Sequence, residues 1–295
     1  MVLVVGATGL LGSAVCQKLV GRGERVRALV RESSSQEKVD ALKSSGAELV
    51  YGDLKDFGSI EAACRGVDAV ISTASSTLSR QPGDSIESVD GVGQVNLVKT
   101  IKNAGIDRFV FVSFQRPSGI SSPLAEAKKQ VEDAISELNY TVVQASWFME
   151  VWLSPALGFD YVNGTARIYG TGKNPISWVS FRDVAEMCVV GLHHPAASRR
   201  AIQFGGPEAL SPLDVVTRFE QISGRPFTPD HVPESALHAQ FDTATDPMQK
   251  SFAALMLGYA RGDVMDMTWV LDTFAVKLTS VNDYAHSVLA KAANT

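Results

Sequence analysis

Gly6, Gly9 and Gly12 recur every third residue in GATGLLG, after the apolar run VLVV and before Leu11, Val15 and Leu19, which repeat at helical spacing. That order describes a tight turn from a strand into a helix. A helix N-terminus offers N–H donors and a favourable dipole to phosphate, and glycines let backbone and phosphate approach closely. The chemistry that fits is capture of a dinucleotide pyrophosphate: the first glycine permits the turn, the second the approach and the third close helix–sheet packing. An ordinary strand-to-helix turn without a ligand is the alternative.

The flanking pattern supplies the elements such a turn needs. VLVV (2–5), RVRALV (25–30), AELVYG (47–52), DAVIST (68–73), RFVFVS (108–113) and YTVVQA (140–145) are short, β-branched and bounded by polar or glycine-containing turns, and helix-like segments separate them. Alternation of this kind predicts an α/β fold, a doubly wound parallel sheet with right-handed crossovers. After residue 146 the alternation fails, and KNPISWVSFRDVAEMCVVGL predicts one more strand followed by an amphipathic helix. The expected division is a nucleotide-binding domain over 1–150 with 176–204 returning to it. A smaller, mainly helical substrate region follows over 205–295, with 151–175 contributing.

The 295 residues are 45% hydrophobic and 20% charged, with a net charge of −5. A net negative chain lacks the broad positive field that attracts nucleic acid, so nucleic acid is not an expected partner. No apolar run reaches the roughly 18 residues of a membrane span, and the opening run is too short for a signal peptide. Cys16, Cys64 and Cys188 are widely spaced and odd in number, which fits buried thiols in a reducing compartment. The expectation is a cytoplasmic protein without a membrane partner. Its oligomeric state is left open between monomer and dimer.

The turn is GxxGxxG, and the stretch VVGATGLLGSAVCQKLVGRGERVRALVR resembles the short-chain dehydrogenase/reductase superfamily, in particular its atypical NmrA-like and isoflavone-reductase-like branch. YGDLKD (51–56), AEAKKQVEDAI (125–135), VVQASWFMEV (142–151) and ISWVSFRDVAEM (176–187) extend the resemblance in order over most of the first 190 residues. It implies a Rossmann fold and an NAD(P) cofactor. The candidate cofactor contacts in the turn are Gly6, Thr8, Gly9, Leu10, Leu11 and Gly12.

RVRALV ends in Arg31 and then Glu32. Arg31 stands where the family's phosphate-binding arginine falls, and a guanidinium suits the 2′-phosphate of NADP. Glu32 would instead serve the ribose of NAD, so NADP ranks ahead with NAD as alternative. The resemblance implies adenine contact at Asp53, assisted by Leu54; a helix N-cap is the competing role for Asp53. Thr73, Ala74 and Ser75 end the fourth strand beside the expected crevice, where small residues let ribose and nicotinamide approach.

Carbonyl-reducing members of the superfamily use a YxxxK pair, in which lysine lowers the phenol pKa and holds the ribose. Here Leu124 precedes Lys128 by four residues, so the tyrosine is absent. The branch the chain resembles retains the lysine alone, and Lys128 aligns with it as the candidate catalytic and ribose-binding residue. Spacing alone would also explain Lys128 as a surface partner of Glu132. Ser113 ends the fifth strand at the position of the superfamily's serine, followed by Phe114 rather than a second small polar residue. Phe114, Trp147, Phe148 and Met149 are candidate walls of a pocket for a planar substrate. No metal site is expected: His193 and His194 lack helical metal-pair spacing.

Two functions follow. The first is an NAD(P)H-dependent oxidoreductase delivering hydride to a small planar carbonyl, enone or quinone. The second is a non-catalytic NAD(P) sensor or regulatory protein of the NmrA type. A nucleotide-sugar epimerase or dehydratase would require YxxxK and ranks last.

Overall fold

The computed structural model describes residues 1–78, 80–116 and 119–293. Its elements begin with β1 (Val2–Val5), α1 (Leu10–Gly21), β2 (Val26–Val30), α2 (Gln36–Ser44), β3 (Glu48–Tyr51), α3 (Phe57–Cys64) and β4 (Ala69–Ser72). A π-helix (Ile86–Gly93) leads into α4 (Gln94–Asn103), β5 (Arg108–Phe114), α5 (Pro123–Ala134) and β6 (Tyr140–Ala145). Then come α6 (Met149–Trp152), β7 (Phe159–Asp160), β8 (Thr165–Tyr169), α7 (Phe181–His193) and β9 (Arg200–Phe204). The chain closes with α8 (Pro212–Ser223), β10 (Thr228–Val232), α9 (Glu234–Thr243), α10 (Pro247–Arg261), α11 (Thr268–Thr273) and α12 (Val281–Ala292).

Seven strands form one sheet in the order β3-β2-β1-β4-β5-β6-β9. β1 pairs in parallel with β2 and β4, as do β2 with β3 and β4 with β5. Strand order reverses between β1 and β4, and in such sheets ligands bind at the carboxyl ends of the strands beside that reversal. The fold is the doubly wound, Rossmann-type α/β architecture with a mainly helical C-terminal region. All six strands expected before residue 146 are present to within a residue or two at each end.

The strand expected in NPISWVS does not form. Ile176 bridges single residues at Leu210 and Asp263, and Val179 bridges Phe148, so each pairing is isolated and no ladder develops. The seventh strand is RAIQF at 200–204, after α7 rather than before it.

The chain divides into two compact units: 1–113, 123–144 and 184–202 form the first, and 114–122, 145–183 and 203–295 the second. The boundary differs from the sequence expectation, since 145–150 and 176–183 group with the second unit. Trp147, Met149, Ile176 and Trp178 explain it, because all four are buried in the second unit's core. That core also holds Phe159 against Phe219 and Phe227, with ring centroids 4.9 and 5.7 Å away. In α10, Ala253, Ala254, Leu257 and Tyr259 are buried, so SFAALMLGYA is core and not an exposed helix. A small sheet, β10-β8-β7, completes this unit.

In the first unit, Leu3 and Val5 of β1 pack with Val70, Phe109, Phe111 and Leu97. Arg108, buried at the start of β5, donates to the Leu192 and Gly191 carbonyls at the end of α7, to Asn139 Oδ1 and to Thr141 Oγ1. One side chain thus staples three elements. Among the described residues no helix is long and apolar enough to cross a membrane. Arg108→Ala strands several acceptors at once and is expected to lower unfolding free energy by about 3 kcal/mol, read from urea titration. A loss below about 1 kcal/mol would contradict the staple.

Candidate functional site

The three glycines of the turn are constrained by packing to different degrees. Gly6 has φ +83°, and a Cβ on it would lie 2.8 Å from Ala74 N. A Cβ on Gly12 would lie 2.1 Å from Gly6 O and 2.8 Å from Thr73 Oγ1, so α1 can reach the sheet only with glycine there. A Cβ on Gly9 meets only Gly6 O, at 3.2 Å. Packing therefore forbids a side chain at Gly6 and Gly12, and at Gly9 it would press a Cβ tightly against one backbone oxygen. Gly9 is the N-cap of α1, contributes no side-chain cap, and the first turn carries no acidic residue. Such an end presents its N–H groups to an anion. Thr8 is half-buried, Leu10 is exposed and Leu11 is buried.

Beside the turn, the exit of β4 is held at both ends. Thr73 donates from its N–H to Val5 O at 3.0 Å. Gln94, fully buried, accepts from Ser72 Oγ at 2.9 Å and donates to Ala74 O at 3.0 Å. Asp90, also fully buried, accepts at Oδ2 from Ser76 N (2.9 Å) and Ser76 Oγ (2.7 Å). Thr73, Ala74 and Ser75, all half-buried, are therefore suspended between two pinned residues. Asp90 lies in the π-helix and Gln94 opens α4, and π-helical turns are frequent at functional sites. Sequence reasoning missed both; the available signal was two polar residues four apart in the apolar run SVDGVGQVNLV.

Lys128 is buried, not a surface lysine. Its Nζ lies 3.6 Å from Asp90 Oδ1, 3.3 Å from Val112 O and 4.8 Å from the centre of the Phe111 ring. Burial pushes its pKa down, and the charges of Asp90 and, less strongly, Glu132 oppose that shift. Asp90 is thus its ion-pair partner, while Glu132 accepts from Ser113 Oγ at 2.6 Å and from Gln144 Nε2 at 3.4 Å. Ser113 is buried and its hydroxyl engaged. Leu124, where a tyrosine would stand, is buried and apolar.

At the other end, Arg31 Nη1 meets Asp84 Oδ2 at 2.6 Å. Lys55 pairs closely with Asp84 Oδ1 and lies 3.6 Å from Asp53 Oδ2. Asp53 is not a helix N-cap: Asp56 caps α3, accepting from Gly58 N at 3.0 Å. Leu54 is buried, packed in the core of this unit. Glu32 is exposed.

In the second unit, Phe114 and Phe148 are half-buried, whereas Met149 is wholly enclosed in the core and leaves no surface for a ligand. Trp147 is buried against Trp152, ring centroids 5.4 Å apart, and its Nε1 has no hydrogen-bond partner among the described residues. Asp183 anchors the chain by accepting from Thr279 N and Oγ1 at 2.6 and 3.0 Å. All three cysteines are buried thiols; burial pushes Cys16 and Cys188 up to about 12 and Cys64 up to about 11. His193 meets Glu24 at 2.7 Å, and among the described residues no group of three or more His, Cys, Asp or Glu could hold a metal ion.

A family model for the NmrA-like family matches residues 1–285. The chain belongs to the NmrA-like family. Relatives of this NmrA-like chain include the photosystem II assembly factor Ycf39 of Synechocystis sp., 31% identical over 242 residues, covering 80% of this chain and 72% of that protein. An NAD(P)H azoreductase of Xenophilus azovorans is 30% identical over 231 residues, covering 77% and 75%. Among solved structures, an NADPH-dependent quinone oxidoreductase of Escherichia coli complexed with NADPH superposes with TM-score 0.78 at 20% identity, covering 98% of this chain and all of that one.

The buried pair yields a direct test. Lys128→Met leaves the Asp90 carboxylate buried without its cation and is expected to cost about 3 kcal/mol of stability in chemical denaturation. Adding Asp90→Asn should restore most of it. A double variant no more stable than Lys128→Met would show that the two charges are not coupled.

Proposed function

We propose that this NmrA-like protein is an NADPH-dependent reductase acting on a small planar carbonyl, enone or quinone. The observation that carries the reading is a chain of contacts within the first unit: Gly6 and Gly12 lie against Thr73 and Ala74, Ser76 bonds to Asp90, and Asp90 pairs with the buried Lys128. Its fit to a dinucleotide rests on three features: a glycine turn at a helix N-terminus without a side-chain cap, small residues in the middle, and a buried ammonium at the far end. The azoreductase relative and the quinone oxidoreductase neighbour support it.

In this reading Gly6, Thr8, Gly9, Leu10, Leu11 and Gly12 form the pyrophosphate turn. Arg31 and Asp53 serve the adenosine end. Lys128 donates hydrogen bonds to the ribose hydroxyls, and Asp90 keeps the ammonium charged and aimed. Because burial lowers its pKa, Lys128 is a stronger acid than a free lysine and can supply a proton to the reduced product. Ser113, bonded to Glu132, supports the same strand end. Phe114 and Phe148 are assigned to the substrate. The bound cofactor supplies the hydride.

A second reading, a dinucleotide-dependent regulatory or assembly protein, is favoured by Leu124 in place of the tyrosine and by the assembly-factor relative. NADPH oxidation against quinones, azo dyes, enones and aldehydes separates the two. Turnover that falls at least about a hundredfold in Lys128→Ala supports the reductase. Tight NADPH binding without turnover on any substrate supports the regulatory reading, and failure to bind NADPH or NADH contradicts both.

A further inference from the structure

The cationic end of the site is already filled from within. Arg31 and Lys55 converge on one carboxylate, Asp84, whose side chain is only 1% exposed. Both oxygens are used: Oδ2 takes Arg31 Nη1 at 2.6 Å and Gln81 N at 2.8 Å, and Oδ1 takes Lys55 Nζ. A carboxylate held by a guanidinium, an ammonium and a backbone N–H has the donor set that a phosphate monoester would take.

The charges sharpen the point. Arg31 and Lys55 face Asp53 and Asp84, so among these four side chains the formal charges cancel. A phosphate monoester carries about −1.5 to −2 at neutral pH, and cannot join a neutral cluster favourably while both carboxylates remain. We infer that Asp84 is an internal stand-in for the adenosine 2′-phosphate, which must leave the Arg31–Lys55 site for NADPH to bind there and can stay when NADH binds. The inference rests on the NAD(P)H reading of the glycine turn and names the residue that sets the choice between the two cofactors.

The attachment of Asp84 suits such a displacement. Gly83 before it has φ +83° and open space around its Cβ position. Besides the Asp84 carboxylate, the described residues hold the turn by Asp84 N donating to Gln81 O at 3.0 Å and by long bonds from Gln81 Nε2 to Ser33 O at 3.4 Å and from Ser88 Oγ to Gly83 O at 3.5 Å. Ser85, immediately after, is fixed by its capping box with Ser88. One residue therefore separates a capped helix start from a turn whose shortest bonds are made by the carboxylate itself. Burial raises the Asp84 pKa, but the bonds from Lys55, Gln81 N and Arg31 outweigh it and hold the carboxyl below the usual range. The occupant of the site is thus charged at neutral pH, and competes with phosphate as one anion with another.

The test measures dissociation constants for NADPH and NADH in wild type and Asp84→Asn by calorimetry. The preference for NADPH, as the ratio of the two constants, is expected to rise at least about tenfold in Asp84→Asn. An unchanged or smaller ratio would overturn the inference, since Asp84 would then be neutral to the phosphate or an organiser of its cations. Hydrogen exchange on the wild type needs no variant: the Gln81 amide should lose protection with NADPH and keep it with NADH. Equal protection with both would also overturn the inference. Wild type that binds neither dinucleotide refutes the functional reading itself, whereas NADPH binding with no response at Asp84 refutes only the inference.

Discussion

Lys128 and Asp90 lie almost wholly out of water, 3.6 Å apart, and a charge so placed persists only against a partner. Their pairing does more than neutralise. The second oxygen of Asp90 holds Ser76 by two hydrogen bonds, so the carboxylate that keeps the lysine charged also fixes the chain leaving β4. Gln94, one turn on, fixes the same segment on its other side. A π-helix is what presents an aspartate toward α5 there while α4 continues along the sheet. The strand exit, the irregular helix and the lysine are therefore one connected unit, and disturbing any member disturbs the others.

Charge is distributed differently along the site. At the Lys128 end the pair is buried, with the ammonium pKa lowered from the ordinary lysine value by burial and little water to screen the charges. At the glycine turn the helix end carries no side-chain cap and its first turn no acidic residue. At the adenosine end two cations meet two carboxylates in partly exposed surroundings. The three places thus differ in kind: a buried ion pair, an uncapped helix end and a partly exposed set of ion pairs.

Much of this was legible in the sequence because it is local. Strand runs such as VLVV and YTVVQA declare themselves by β-branching and flanking turns, and GATGLLG by its position between a strand and a helix. What was hidden depends on contacts distant in the chain. Asp90 and Gln94 look like ordinary helix residues until Ser72, Ser76 and Lys128 are brought to them. The role of Asp84 is invisible beside Gly83 and Ser85, because its partners, Arg31 and Lys55, lie 53 and 29 residues earlier. The strand expected in NPISWVS failed for a related reason: its residues pair singly with three separate segments, an outcome no local pattern encodes.

The central claim is that one dinucleotide spans the first unit from Gly9 to Lys128. NMR of the protein labelled at backbone amides and at lysine Nζ, recorded with and without NADPH, addresses it most directly. The account predicts that saturation shifts the Gly9 to Gly12 amides and the Lys128 Nζ signal together, with the same dissociation constant. Movement of the turn with an unchanged Lys128 signal, or of neither, would contradict it.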